Sequence, residues 1–300
     1  MASLVVQDLF AVKGYVAVVT GGSSGLGYMI CKGLVKNGAK VYVVALPSEP
    51  IDECVAELNT PAKSTKAPGD DSDVGSAVGY ACDVSSKEAI AELAAFVAAR
   101  ESRVDVLVSN AGIRRDPPKA CDVLTAPLEE LQASMWSSVH SDWAASFAVN
   151  TTAHYFLSVA FLPLLSAASQ GLGHRAGRGS IVITSSCASL HNATNVDLTG
   201  YAASKAATDH LVRLLAAKFS RFYVRVNSIN PGFVPSKMNP VGAEGNIFQN
   251  LFDKMPAKRA GEEDDIAGAV LYLSSRAGSY IDGINLCIDG GRILVANGQE

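Results

Sequence analysis

The chain has 300 residues, of which 48% are hydrophobic and 18% charged, and its formal net charge is −4. This composition predicts a globular protein with a sizeable core, and the lack of a basic excess argues against a nucleic-acid-binding protein. The longest apolar runs are too short to span a bilayer, the N-terminus has no basic segment followed by an apolar core, and the cysteines and histidines show no metal-ligand spacing. We therefore expect a cytoplasmic protein with reduced thiols, no membrane segment, no nucleic-acid partner and no metal site.

The predicted elements alternate between short apolar strands and longer helical patterns. A first strand (15–20) is followed by a glycine-rich turn, a helix that ends at Gly38, a second strand (39–45) and a helix over 50–60. Further strands are predicted at 77–84, 104–112, 180–186, 222–229 and 284–289, and further helices at 85–101, at 142–165, from Tyr201 onward and at 264–275. The stretches 61–76, 113–140 and 168–179 are predicted loops.

Continuous apolar strands that alternate with helices are typical of a parallel sheet covered on both faces. The sequence therefore predicts an α/β fold: one Rossmann-type, doubly wound domain over residues 1–300 with a mostly parallel seven-stranded sheet. A sheet of this kind binds its ligand in a crevice at the carboxyl ends of the strands.

The segment TGGSSGLG (20–27) joins the first strand to its helix. Glycines let the backbone turn sharply and approach a phosphate group that lies at a helix N-terminus. Gly21, Gly25 and Gly27 therefore predict a dinucleotide-binding turn. Glycine-rich turns are common, and it is the strand–turn–helix context that favours this interpretation.

Tyr201 and Lys205 stand four residues apart in YAASK, at the start of a predicted helix, so their side chains lie on one face. An isolated pair of this kind usually belongs to a solvated face. Six further motifs change the interpretation: TGGSSGLG, CDV (82–84), NAG (110–112), Asn150 in FAVN, TSS (184–186) and NPG (230–232). This ordered series resembles the short-chain dehydrogenase/reductase family over roughly residues 10–292, and the first third also resembles fungal and bacterial 3-oxoacyl-type reductases.

The resemblance implies four catalytic residues. Tyr201 is expected to act as the general acid/base, and Lys205 to lower the pKa of its phenol and to hydrogen-bond the nicotinamide ribose. Ser186 is expected to orient the substrate oxygen, with Ser185 as the alternative. Asn150 is expected to hold a water that continues a proton relay from the lysine.

The resemblance also implies a nicotinamide cofactor. NAD-binding members often carry an acid at the end of the second strand; here Ala45 or Leu46 stands at that place and Glu49 comes too late, which favours NADP(H) over NAD(H). The residues expected to contact the cofactor are Gly21, Ser23, Ser24, Gly25, Leu26, Gly27, Asp83, Val84, Asn110, Ala111, Gly112, Tyr201, Lys205, Pro231, Gly232 and Val234.

The predicted activity is the interconversion of a carbonyl and a secondary alcohol, with the protein working as a ketoreductase. The pocket is expected from 113–140, 187–199 and 233–260, whose apolar residues predict a largely apolar small molecule: Trp136, Phe233, Met238, Phe248, Leu251, Phe252 and Met255. Arg114, Arg115 and Lys237 are either contacts for an anionic substrate group or, the better interpretation for each, solvated surface charges. Two other functions stay open: a non-redox reaction on the same fold, such as dehydration, isomerisation or cyclisation, and a non-catalytic dinucleotide sensor.

Two structural features complete the expectations. Residues 234–259 contain prolines and glycines around a short apolar helical pattern, which predicts a lid over the substrate; the alternative is a helix packed permanently on the core. The Tyr201 helix carries small residues that permit close helix approach, and the resemblance implies a homodimer or homotetramer built on it. These small residues are Ala202, Ala203, Ala206 and Ala207.

Overall fold

The computed structural model describes residues 3–60, 75–191, 194–236, 238, 252 and 255–296. Within these residues, seven parallel strands form one sheet with helices around it, which confirms the predicted fold class. The strands are β1 (Val16–Thr20), β2 (Lys40–Ala45), β3 (Ser76–Ala81), β4 (Val106–Ser109), β5 (Ser180–Thr184), β6 (Arg225–Pro231) and β7 (Asn285–Ile288). The helices are α1 (Val6–Leu9), α2 (Gly25–Lys36), α3 (Ile51–Asn59), α4 (Lys87–Ala98), α5 (Leu128–Trp136), α6 (His140–Phe147), α7 (Ala153–Ser169), α8 (Thr199–Phe219), α9 (Glu263–Ser274) and α10 (Arg292–Ala296).

The strand order β3-β2-β1-β4-β5-β6-β7 makes the sheet doubly wound. The chain moves outward from β1 to β3 on one side and from β4 to β7 on the other, so the neighbours β1 and β4 form the switch point. They pair in parallel, with Val19 opposite Val108. The loops that follow these two strands turn in opposite directions and leave a crevice at their carboxyl ends.

Both faces of the five inner strands are buried, and this explains why these strands read as continuous apolar runs. Alternate residues point to opposite faces, so Val18 and Leu107 lie in one core cluster and Val19 and Val106 in the other. The first cluster is completed by α4, α7 and α8, and the second by α2, α3 and α9.

One continuous helical run, His140–Ser169, packs on the first of these faces. By length and composition it could also cross a membrane. In the structure Leu157, Phe161 and Leu165 are fully buried in the first core cluster, so one face of the run packs on the sheet. The pattern predicted an unbroken α-helix, but a π-helical turn, Ala148–Thr152, separates α6 from α7 and carries Asn150.

Three predicted loops differ from the structure or fall outside it. The stretch 113–140 contains α5, which has a single buried residue, Ser134, and therefore lacks the apolar stripe on which helix prediction depends. The stretch 168–179 contains the end of α7 and a 3₁₀ turn, Gly173–Ala176, and most of 61–76 lies outside the described residues.

The predicted lid, 234–259, also lies largely outside the described residues and stays a prediction. Its described ends are fixed, because Val234 and Met255 are each only 1% exposed.

Candidate active site

A cleft of about 350 Å³ lies over the switch point of the sheet. Its walls come from the glycine-rich turn after β1, the loops after β2, β3 and β4, the carboxyl ends of β5 and β6, and the first turn of α8. The cleft therefore occupies the place where a doubly wound sheet binds its ligand.

The glycine-rich turn fits the pyrophosphate of a dinucleotide. A Cβ atom on Gly27 would lie 2.0 Å from the carbonyl oxygen of Gly21 and 2.7 Å from Asn110 Nδ2, so only glycine can stand there. Gly21 itself has a φ of +64°, which glycine adopts without strain. Ser24 is the N-cap of α2, and its side chain makes no capping hydrogen bond, which leaves the first-turn N–H groups and the positive end of the helix dipole for an anion.

Tyr201, Ser186 and Lys205 meet on the floor of the cleft. The Ser186 hydroxyl hydrogen-bonds the Tyr201 phenol, and Ser186 Oγ accepts a hydrogen bond from the Ala188 N–H at 3.1 Å. Lys205 Nζ lies 5.9 Å from the centre of the Tyr201 ring and donates to the Thr184 carbonyl at 2.7 Å. The spacing of four residues on α8 thus places the phenol and the ammonium on one face, as the sequence predicted.

Burial shifts the pKa values of both Tyr201 and Lys205. Burial raises the pKa of Tyr201, while the hydrogen bond from Ser186 and, more weakly, the charge of Arg114 lower it. Burial lowers the pKa of Lys205 to about 8, against an opposing contribution from Asp209. Lys205 Nζ is buried and directed at the Thr184 carbonyl, and its expected effect on the pKa of the Tyr201 phenol stays a prediction.

Of the two candidate serines, Ser186 is the one that reaches the tyrosine. Ser185 is 3% exposed, and its hydroxyl donates to the Lys205 carbonyl at 3.1 Å. This bond ties the end of β5 to α8 and uses the Ser185 hydroxyl structurally.

Asn150 lies behind the cleft and fixes one of its walls. Its side-chain amide accepts a hydrogen bond from the Ile113 N–H at 2.8 Å and donates to the Ile113 carbonyl at 2.9 Å. The same NH₂ group donates to Ser204 Oγ at 3.0 Å, and the Asn150 carbonyl accepts from Thr208 Oγ1 at 2.5 Å. The side chain therefore holds the loop after β4, and the relay role implied by the resemblance stays a prediction.

Comparison with similar proteins assigns this site to a family. A family model described as "Enoyl-(Acyl carrier protein) reductase" matches residues 21–292. The short-chain dehydrogenase/reductase PhomF of Diaporthe leptostromiformis is 34% identical over 98% of this chain and 96% of its own. The chain belongs to the short-chain dehydrogenase/reductase family.

Other members of the short-chain dehydrogenase/reductase family align over nearly the whole chain. Gluconate 5-dehydrogenase of Gluconobacter oxydans is 29% identical over 95% of this chain and 96% of its own. The Pseudomonas aeruginosa RhlG/NADP complex has a TM-score of 0.77 at 27% identity, covering 95% of this chain and 99% of that one. The NADPH-dependent 3-quinuclidinone reductase of Rhodotorula rubra also has a TM-score of 0.77, at 25% identity, covering 98% and 97%. The chain is therefore an oxidoreductase of the CH–OH/C=O type.

The short-chain dehydrogenase/reductase fold brings most of the expected site residues to the cleft. Those that line it are Gly21, Ser23, Ser24, Gly25, Leu26, Asp83, Val84, Asn110, Ala111, Gly112, Ser186, Tyr201, Lys205, Pro231 and Gly232. Gly27 lies beneath the turn, where it permits the backbone crossing, and Asn150 lies behind the wall. In the described part of the chain, no group of three His, Cys, Asp or Glu residues could hold a metal ion.

Val234 is not among the residues that line the cleft, and its expected cofactor contact stays a prediction. Val234 is buried in the second core cluster with Ile266 and Val270. The chain turns at Gly232, whose N–H donates to the Ile288 carbonyl at 2.9 Å, and this turn directs the Val234 side chain into the core.

Three of the seven apolar residues expected around the substrate lie away from the cleft. Trp136 is 87% exposed, and Phe233 and Met255 line a separate cavity beside α9 and β7. Met238 does line the cleft, whereas Phe248, Leu251 and Lys237 lie outside the described residues. The largely apolar substrate therefore stays a prediction.

Sequence reasoning missed a set of buried polar residues that support the catalytic group. Asp209 accepts hydrogen bonds from Ser189 Oγ at 2.6 Å and from Asn230 Nδ2 at 2.9 Å. Ser189 Oγ also lies 2.7 Å from the Ser186 carbonyl oxygen, an alternative acceptor for its single hydroxyl proton, so this network fixes the turn that presents Ser186. The available signal was the spacing, because Asp209 falls four residues after Lys205 and so lies on the same face of α8.

Proposed function

We propose that this enzyme interconverts a carbonyl and a secondary alcohol on a small molecule with NAD(P)(H), working as a ketoreductase with Tyr201 as the general acid/base. The observation that carries the proposal is the meeting of Tyr201, Ser186 and Lys205 on the floor of a cleft whose glycine-rich turn fits a dinucleotide. A pure sensor would need the turn but not this trio.

The chain's residues have distinct tasks in the reductive direction. Ser186 and Tyr201 hydrogen-bond the carbonyl oxygen and hold the carbonyl carbon toward the nicotinamide end of the cleft. Tyr201 gives its proton to the oxygen as negative charge develops there, and it takes that proton back in the reverse reaction. The bound cofactor supplies or accepts the hydride. Lys205, held by the Thr184 carbonyl, binds the nicotinamide ribose and places a positive charge near the phenolate that Tyr201 leaves behind.

NADP(H) is the proposed cofactor. Ala45 and Leu46, which line the cleft at the end of β2, place no carboxylate where the 2′ position of the adenine ribose is expected. Similar proteins include an NADP complex and an NADPH-dependent enzyme. Glu49 also lines this end of the cleft, and its carboxylate would repel a 2′-phosphate that came close. Titrating NADPH and NADH against the wild type and Glu49→Gln by cofactor fluorescence tests the preference; tighter NADH binding by the wild type would overturn it.

The proposed assembly is a homodimer or homotetramer. The outer face of α6, α7 and α8 carries exposed apolar side chains: Trp143 (38% exposed), Tyr155 (42%), Val159 (42%) and Leu214 (45%). A second copy of the same face would bury them, as two-fold symmetry allows.

A screen of carbonyl compounds tests the activity. The purified enzyme is incubated with NADPH or NADH and a panel of ketones and keto acids, and cofactor oxidation is followed by absorbance. The panel includes 5-keto-D-gluconate, because a similar protein is named for gluconate. The proposal expects cofactor oxidation matched by alcohol formation; a product formed without cofactor oxidation would instead indicate a non-redox reaction.

A further inference from the structure

The loop after β4 carries an arginine that is fixed beside the active site. Arg114 follows Ile113, which lines the cleft and is held at both its N–H and its carbonyl by Asn150. The guanidinium donates to the two carboxylate oxygens of Asp116, from Nε at 2.7 Å and from Nη2 at 2.6 Å. The side chain is only 20% exposed, although it belongs to a surface loop. The backbone and the side chain of Arg114 are thus both constrained.

One edge of the Arg114 guanidinium is available to another hydrogen-bond acceptor. Asp116 occupies the edge formed by Nε and Nη2, while Nη1 makes no hydrogen bond to a described residue. A planar guanidinium can bind one carboxylate on each edge. Its charge also acts on the reacting centre, since it is among the groups that lower the pKa of Tyr201.

Cations are scarce around the cleft. Among the described lining residues Lys205 is the sole cation, and its ammonium is buried and directed at the Thr184 carbonyl. The neighbouring Arg115 is 52% exposed and lies 3.8 Å from Asp142, on the outer side of the loop. Arg114 follows the lining residue Ile113 and its charge reaches Tyr201, so its guanidinium lies beside the cleft although Arg114 is not among the residues that line it.

We propose that Arg114 is a specificity-determining residue that binds an anionic group of the substrate, a carboxylate, close to the carbonyl that is reduced. The enzyme then selects carbonyl acids over neutral ketones of the same shape. This inference rests on the proposed carbonyl reduction.

The test compares matched acid and neutral substrates in matched variants. One pair is pyruvate and its methyl ester, and a second pair is benzoylformate and its methyl ester; in each pair the carboxylate or the neutral ester group lies next to the carbonyl that is reduced. The variants are Arg114→Met and, as the control on the same loop, Arg115→Met. The measured quantity is the acid-to-neutral ratio of kcat/KM, in which any effect of Arg114 on Tyr201 cancels.

The wild type is expected to prefer the acid of at least one pair. Arg114→Met should lower the ratio about 10- to 100-fold, mainly through the KM of the acid, which is the range for losing a hydrogen bond between charged groups. Arg115→Met should leave the ratio within about twofold. If Arg114→Met does not fold, the acid-to-neutral ratio of kcat/KM is measured with Arg114→Gln instead.

Two results would overturn the inference. Reduction of neutral ketones with a ratio that Arg114→Met leaves unchanged, or a wild-type preference for the neutral member of both pairs, would contradict the role of Arg114 and leave the proposed function standing. Failure to oxidise NADPH or NADH with any compound would contradict the proposed function, and the inference with it.

Discussion

Burial of the Lys205 ammonium lowers the stability of the folded protein. The Lys205 side chain is 2% exposed, and burial lowers its pKa to about 8 from the usual lysine value of 10.5. At neutral pH the folded protein therefore keeps a buried ammonium that the unfolded chain would hydrate. The difference in pKa corresponds to a cost of about 3 kcal/mol in the free energy of unfolding.

Replacing Lys205 with methionine should abolish turnover and yet raise the melting temperature at pH 7. The difference in stability should shrink as the pH rises from about 8 toward 10, because in this range the unfolded wild type binds more protons than the folded one and its stability increases with pH. Thermal unfolding of both proteins at neutral and alkaline pH measures the effect. A variant that is less stable than the wild type at neutral pH would show that the Thr184 hydrogen bond outweighs the burial of the charge.

At the scale of elements, β4 and α7 are joined by a buried polar pair. Ser109 Oγ lies 2.7 Å from His154 Nδ1, and both residues are at most 1% exposed. Burial lowers the pKa of His154 well below 6.5, and the charge of Lys205 acts in the same direction. The histidine is therefore neutral in the folded protein at physiological pH.

This pair should make the protein acid-sensitive. Because the pKa of His154 is lowered on folding, the unfolded state binds the extra proton below about pH 6.5, and stability falls as the pH drops. His154→Leu should flatten the fall between about pH 6.5 and 5, as seen in urea unfolding. Burial also lowers the pKa of His191, so some dependence of stability on pH should remain in His154→Leu. The variant His191→Leu measures that remaining part. An unchanged slope in His154→Leu would refute the assignment.

Elements with a clear period could be predicted from the sequence, and those without one could not. The strands were recognised because both faces of the sheet are apolar, and α2, α4, α8 and α9 because they carry buried stripes. The exposed helix α5 has no such stripe. The π-helical turn at Asn150 could not be predicted either. A π turn has one more residue than an α-helical turn, but its residue types do not distinguish it from the surrounding α-helix.

At the scale of the whole molecule, the position of the site followed from topology. Once the first and fourth strands were recognised, the cleft had to lie at their carboxyl ends. The hydrogen-bond network behind the cleft could not be predicted from topology. Asp209 and Asn230 meet Ser189 only because α8, β6 and the turn after β5 pack together in the tertiary structure.

Self-association should depend on the α6–α8 face. Light scattering at micromolar concentration should give a dimer or tetramer mass, and Val159→Arg combined with Leu214→Arg should reduce it to that of a monomer, since like charges would meet across a two-fold axis. Leu172→Arg, at a 70% exposed position after α7, is the control and should leave the mass unchanged. A monomeric wild type would contradict the proposed assembly.

The central claim is that hydride reaches a carbonyl carbon while Tyr201 protonates the oxygen. It is tested most directly by mass spectrometry of the alcohol formed from the best ketone of the screen and NADPH deuterated at the transferred C4 position. The account predicts one deuterium on the carbinol carbon per NADP⁺ formed, and a rate about 10²- to 10⁴-fold lower in Tyr201→Phe with NADPH affinity nearly intact. A product without the label, or a Tyr201→Phe variant that keeps more than about a tenth of the wild-type rate, would contradict it.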